Sequence, residues 1–313
     1  MDMRSLGRSG LRVSAVGLGC NNFGGRTGPA ETRAVVHKAL DLGITLFDTA
    51  DTYGNRGGSE TLLGEILGER RKDIVLATKF GMPMDDAPVP RTSRRYIMTA
   101  VEASLKRLRT DWIDLYQMHR PDPATPIEET LRALDDLIHQ GKVRYIGSSN
   151  LAGWQTVDAH WTGLHHNLHR FISCQNEYSL LARGVEKELI PAMQACGLGL
   201  LPYFPLAGGL LTGKYQRGAA MPSGARLTGS SGLAQRYLTE RNWAIVGRLQ
   251  DFCARAGHGL IDLAFSWLLA QPTLASVIAG ATRPEQLEQN VRAAGWKLTS
   301  EELAEVDRLA RDA

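Results

Sequence analysis

Short apolar runs alternate with amphipathic segments about twice as long along almost the whole chain. The runs fall at 15–18, 46–48, 74–79, 113–118, 145–148, 172–175, 199–203 and 277–279, and their near-continuous hydrophobicity predicts strands buried on both faces. Helical spacing fills the gaps at 31–41, 60–69, 95–108, 127–140, 154–164 and 185–196. Two more helical segments, 242–255 and 261–270, precede the last strand, and 284–293 and 301–311 follow it. Such alternation needs parallel strands with crossover helices, so the fold class is α/β, and eight units predict a closed (β/α)8 TIM barrel rather than an open sheet. Gly43 and Gly141 stand just after helical patterns, where a left-handed cap is needed. Residues 4–14, with Gly7 and Gly10 between strand-like pieces, predict a β-hairpin ahead of the barrel, and the final helical segments are read as extra C-terminal helices. The stretch 216–238, rich in Gly, Ser and Ala, shows no periodicity and is expected to be a functional or disordered loop. No linker divides the chain, so residues 1–313 are read as one domain.

Composition changes this picture little. The 36 Lys+Arg against 33 Asp+Glu leave a formal charge of +3, and the basic residues are interleaved with acids, which argues against nucleic acid and membrane surfaces as partners. Cys20, Cys174, Cys196 and Cys253 form no CxxC pair, and reduced thiols in a cytoplasmic protein are the natural reading. The first ten residues lack the apolar core of a secretory signal. The longest uncharged stretch, 189–213, is interrupted by Pro191, Pro202 and Pro205 and is read as a buried strand with flanking loops.

Several motifs fail on inspection. Gly17-Leu18-Gly19-Cys20-Asn21-Asn22 has no third glycine and opens no helix, as a dinucleotide fingerprint must. Residues 208–214, GGLLTGK, have Walker spacing, but Tyr215 stands where a magnesium-binding Ser or Thr belongs. His165 and His169 could face one way at i, i+4 beside His166, yet no acidic or cysteine partner is near them in sequence. They are read as a polar helix end, and no metal is expected.

Chemistry concentrates at strand ends, where a barrel carries its reacting groups. Three consecutive strands end in ionisable residues: Leu46-Phe47-Asp48, Leu76-Ala77-Thr78-Lys79 and Tyr116-Gln117-Met118-His119. Tyr53 follows Asp48 closely enough for its loop to turn the phenol over the barrel mouth. Asp48, Tyr53, Lys79 and His119 are therefore expected to converge as a catalytic set. Asp51 is the rival acid, and a solvated loop position is expected for it.

In identity, order and strand position these four residues resemble the tetrad of the aldo-keto reductases, NAD(P)H-dependent enzymes on a (β/α)8 barrel. The resemblance covers nearly the whole chain, through Gly147-Ser148-Ser149-Asn150, Gly280-Ala281-Thr282 and Glu288-Gln289-Asn290. It implies Tyr53 as general acid/base, with Lys79 lowering its pKa, Asp48 holding Lys79, and His119 donating a hydrogen bond to the carbonyl oxygen.

The resemblance also assigns a cofactor site. Ser149, Asn150 and Gln175 would hold the nicotinamide carboxamide, Tyr203 would stack on its ring, and Leu206, Gly208 and Lys214 would cross the pyrophosphate. Gly280, Thr282 and Arg283 open a helix suited to a 2′-phosphate, with Arg226 compensating for a basic residue that many relatives carry at 280 or 282. Gln286, Gln289 and Asn290 would face the adenosine. No acid that would repel a 2′-phosphate stands in this segment, so NADP (NADPH) is expected, with NAD left open. The loop at 21–25, Phe80 and 216–238 would wall the pocket for a small carbonyl or alcohol, and a homo-oligomer is left open. The implied alternative is a nucleotide-binding redox-sensing subunit resembling the β subunits of potassium channels.

Overall fold

The computed structural model describes residues 1–311. Two short strands, β1 (Met3–Ser5) and β2 (Arg12–Ser14), pair antiparallel as the expected hairpin. Eight parallel strands follow: β3 (Val16–Gly19), β4 (Leu46–Asp48), β5 (Val75–Phe80), β6 (Ile113–Met118), β7 (Val143–Ser149), β8 (Ser173–Glu177), β9 (Gly199–Tyr203) and β10 (Val277–Gly280). They neighbour one another in chain order, and β10 returns to pair with β3. The remaining seam is bridged just before β10, where the Leu200 N–H donates to Thr273 O at 2.7 Å and the Ala275 N–H donates to Leu200 O at 3.0 Å. The result is the expected (β/α)8 barrel.

Helices α1 (Pro29–Asp41), α2 (Tyr53–Leu67), α3 (Arg94–Leu108), α4 (Ile127–His139), α5 (Gly153–His165) and α6 (Leu189–Cys196) connect successive strands. Then α7 (Ser231–Tyr237), α8 (Glu240–Ala256) and α9 (Leu260–Leu269) lie between β9 and β10, and α10 (Pro284–Ala293) and α11 (Ser300–Arg311) follow. The segment 216–238 is not wholly irregular: α7 forms in it, with the Ser230 hydroxyl accepting from the Leu233 N–H. Seven residues are too few to display a 3.6-residue period. Among the described residues no helix is long and apolar enough to cross a membrane.

The alternation of side chains along a strand splits the core in two. Phe47, Leu76, Tyr116 and Leu200 point outward to the helices. Leu46, Ala77, Leu115 and Leu201 point into the barrel, where Leu6 and Val13 of the hairpin join them from below. Gly7, at φ +61°, lets the hairpin approach this end closely, since a Cβ there would lie 2.6 Å from Ile172 O. Two residues further along the inward-facing rows come Asp48, Lys79 and Gln117. The strand period thus places a polar layer directly above an apolar one.

Candidate active site

The four residues singled out in the sequence meet at the carboxyl end of the barrel. Asp48 closes β4, Lys79 stands near the end of β5 and His119 follows β6. Lys79 Nζ donates to Asp48 Oδ2 at 2.7 Å and to Thr49 O at 2.8 Å, and lies 3.5 Å from Tyr53 Oη. The rings of Tyr53 and His119 meet edge to face with centroids 5.8 Å apart. Tyr53 is delivered by an unusual start to α2: Gly54, Asn55 and Arg56 are all left-handed, at φ +67°, +59° and +66°. Such geometry costs about 1–2 kcal/mol at each non-glycine residue. Gly54 is required there, because a Cβ would stand 2.3 Å from Phe23 O.

The Asp48–Lys79 ion pair is buried, with side chains 5% and 0% exposed. Two amides complete it, Gln117, which the sequence did not mark, and Gln175, which it marked for the cofactor instead: Gln117 Nε2 and Gln175 Nε2 both donate to Asp48 Oδ1, at 3.0 and 2.8 Å. A carboxylate held by three donors is fixed in place. Burial opposes the Lys79 charge, but Asp48 and Tyr53 outweigh it and raise its pKa. Burial pushes the Tyr53 phenol up, and the opposing pull of Lys79 does not offset it, so the net direction is opposite to the expected lowering. Burial, then Lys79 and Arg120, press His119 down to about 3, so its imidazole is neutral in ordinary buffers. Its Nδ1 is buried without a hydrogen-bond partner.

The expected nicotinamide-end residues form one chain of hydrogen bonds. Tyr203 Oη donates to Asn150 Oδ1 at 2.8 Å, Asn150 Nδ2 to Ser149 Oγ at 3.0 Å, and Ser149 Oγ to Gln175 O at 2.8 Å. Asn150 Nδ2 also donates to His119 O at 2.9 Å from a left-handed backbone at φ +60°. The chain reaches the tetrad through Gln175.

Further out, Gly208 and Gly209 form a left-handed turn over which Lys214 folds, its Nζ 3.2 Å from where a Cβ of residue 209 would stand. Gly208 packs on Leu227 and Tyr237, and Leu206 is half-buried against the core. Burial lowers the Lys214 pKa, and the like charges of Arg26 and Arg283 add to this. Arg26 was missed in the sequence, although it lies in the first βα loop; its Nη2 donates to Gly224 O at 2.8 Å and ties that loop to the 216–238 segment. Arg226 lies with its guanidinium 5.0 Å from the Phe204 ring centroid and lines a cavity of about 510 Å³ with Asn21, Asn22, Arg26, Thr228 and Ser230.

Gly280 ends β10 beside Asn21 and Asn22. Gln286 Oε1 accepts from the N–H of Thr282 at 2.7 Å and of Arg283 at 3.2 Å. The N–H groups of Thr282 and Arg283 just before α10 are therefore engaged by this cap, and the Arg283 side chain remains exposed. Gln289 is exposed, whereas Asn290 is only 3% exposed.

Three expectations are corrected. Asp51 is not solvated: it is 1% exposed, neither carboxylate oxygen has a hydrogen-bond partner, and burial together with Glu60 raises its pKa to about 8. Phe80 does not wall the pocket but points outward, its ring 4.7 Å from that of Tyr116. His165 and His169 do not share a helix face, since α5 stops at His165 and Asn167 turns left-handed; His169 meets an acid after all, Asp135 of α4.

The profile of the aldo/keto reductase family matches residues 15–311. An uncharacterized oxidoreductase of Bacillus subtilis, YrpG, is 38% identical over 96% of this chain and 93% of its own length. The L-glyceraldehyde 3-phosphate reductase of Escherichia coli O157:H7 is 37% identical over 100% of this chain and 93% of its own. A probable voltage-gated potassium channel subunit beta of Arabidopsis thaliana is also 37% identical, over 94% of this chain and 91% of its own. With its barrel, the convergence of strand ends and a profile match spanning nearly its full length, this chain belongs to the aldo/keto reductase family.

Proposed function

We propose that the protein is an NADP(H)-dependent oxidoreductase that interconverts a small carbonyl compound and its alcohol, with Tyr53 as the general acid and base. The observation that carries this reading is the Lys79 ammonium held between Asp48 and the Tyr53 phenol beside a neutral imidazole. A bound nicotinamide supplies or accepts the hydride at carbon. Tyr53 Oη gives its proton to the carbonyl oxygen in reduction and takes it back in oxidation. Lys79 stabilises the phenolate left behind, and Asp48, fixed by Gln117 and Gln175, keeps that ammonium charged and aimed. His119 donates as a neutral ring to the developing alkoxide, so its role does not depend on its own titration near neutral pH.

The residues present fit such a cofactor. Lys214, Arg26 and Arg283 repel one another, and the perturbing charges around Lys214 include no carboxylate. A phosphate-bearing ligand relieves that repulsion, and the additional positive charge favours NADPH over NADH. Ser149, Asn150 and Tyr203 present polar atoms at the tetrad for a carboxamide. The four free cysteines suit a reducing cytoplasm.

The test is Tyr53→Phe. Turnover of a panel of small aldehydes is expected to fall about 10²-fold or more, while titration of nicotinamide fluorescence gives an unchanged NADPH affinity, tighter than that for NADH. Retained turnover removes Tyr53 from its role. Likeness to a potassium channel β subunit supports a second reading, in which the nucleotide binds tightly but the wild-type chain turns over no carbonyl or alcohol of the panel.

A further inference from the structure

A cluster of metal-ligating side chains lies away from this site. Asp135 and His139 sit one turn apart on α4, and His169 reaches them from the loop between α5 and β8. His169 Nδ1 lies 2.6 Å from Asp135 Oδ1, and His139 Nδ1 lies 3.2 Å from Asp135 Oδ2. One ligand atom from each of the three falls within 4.8 Å of the others, and the two imidazole rings meet at 5.5 Å. The loop is pinned in this position by the His169 N–H, which donates to Asp135 Oδ1 at 2.8 Å.

We propose that Asp135, His139 and His169 form a zinc site that clamps the end of α4 to the loop entering β8. Two imidazoles and one carboxylate are borderline-hard donors that suit Zn²⁺, with water completing the coordination. Zinc–ligand bonds of about 2.0–2.2 Å place tetrahedral donors about 3.3–3.5 Å apart. The His139 contact, at 3.2 Å, is close to that spacing, and the others reach it by rotation of exposed rings. The Asp135 side chain is 13% exposed, against 68% and 50% for the imidazoles, so the carboxylate anchors the site and the rings leave it open to solvent. Charge points the same way: among the described residues Asp135 pairs with no lysine or arginine, whereas its neighbours Asp136 and Glu128 pair with Arg94 and Arg132. Among the described residues the Asp135 charge is met by the two imidazoles and the His169 N–H alone.

The site is at the opposite end of the barrel from Tyr53. His139 precedes the start of β7 and His169 the start of β8, and strand starts lie on the face away from the reacting groups. Its effect is therefore on stability rather than on turnover.

The untagged, chelator-treated chain, titrated with Zn²⁺ alone against a chromophoric chelator, is expected to take up one equivalent and to melt at a higher temperature with it. The double variant His139→Gln/His169→Gln should bind that equivalent at least about tenfold more weakly and lose the thermal shift, with turnover unchanged. His165→Gln/His166→Gln should bind as the wild type does. No uptake by the wild type, equal uptake by the first variant, or loss in the second instead overturns the proposal. Cobalt(II) in the wild-type chain gives a check independent of any variant's folding. Visible d–d bands without thiolate charge transfer support the site, and a thiolate band assigns the metal to a cysteine and overturns it.

Discussion

Asp51 and Asp48 lie three residues apart, and their surroundings give them opposite chemistry. Asp48 accepts from an ammonium and two amides. Asp51, buried with no donor on either oxygen and with Glu60 nearby, keeps its proton up to about pH 8. Between its ordinary pKa of 3.8 and about 8 the unfolded chain releases this proton while the folded chain retains it, so native stability declines as pH rises through that window. Asp51→Asn removes the penalty. Urea unfolding at pH 8 should show the variant more stable than the wild type by on the order of 5 kcal/mol, with the difference nearly gone at pH 4. Equal stability at both pH values refutes a neutral buried carboxyl. Sequence could not reveal this: both acids are buried, and only the partners folded around them, an ammonium and two amides for Asp48 and Glu60 for Asp51, set them apart.

At the scale of elements, the contact between α2 and α3 sets how closely the helical ring packs around the second and third strands of the barrel. Gly64 faces α3 so tightly that a Cβ would lie 2.3 Å from Arg107 O and 2.7 Å from the Leu108 carbonyl carbon. Backbone cannot rotate aside as a side chain can. Gly64→Ala is expected to destabilise by about 1–3 kcal/mol through overpacking, read as a lowered urea midpoint, although alanine favours the helix intrinsically. An unchanged midpoint would mean that the two helices separate freely. The Glu60–Arg107 ion pair spans the same contact, with Thr78 donating to Glu60 at 2.5 Å.

Strand positions were legible because burial on both faces leaves an apolar run, and β4, β6 and β9 fall where those runs lie. The left-handed opening of α2 was not, since Tyr-Gly-Asn-Arg reads equally well as a loop. The tetrad was legible because strand ends are ordered along the chain. Arg26 and the Asp135–His169 contact were not, because each depends on partners far away in sequence, the latter across 34 residues.

Across the whole molecule the barrel has two unlike ends. The hairpin inserts Leu6 and Val13, both fully buried, beneath the interior layer of Leu46, Ala77, Leu115 and Leu201. Leu6→Ala leaves a cavity in this stopper and should cost about 2–5 kcal/mol of unfolding free energy, with turnover at 25 °C preserved because the tetrad stands above the affected layer. Loss of activity in a folded Leu6→Ala protein would show that the lower end bears on the chemistry directly. Lys79 has no exposed surface, and the layer under it is largely hydrocarbon. On the proposed reading, a proton that the phenol gives up in one cycle is replaced from the carboxyl end of the barrel rather than through this floor, so proton return and product release share one route.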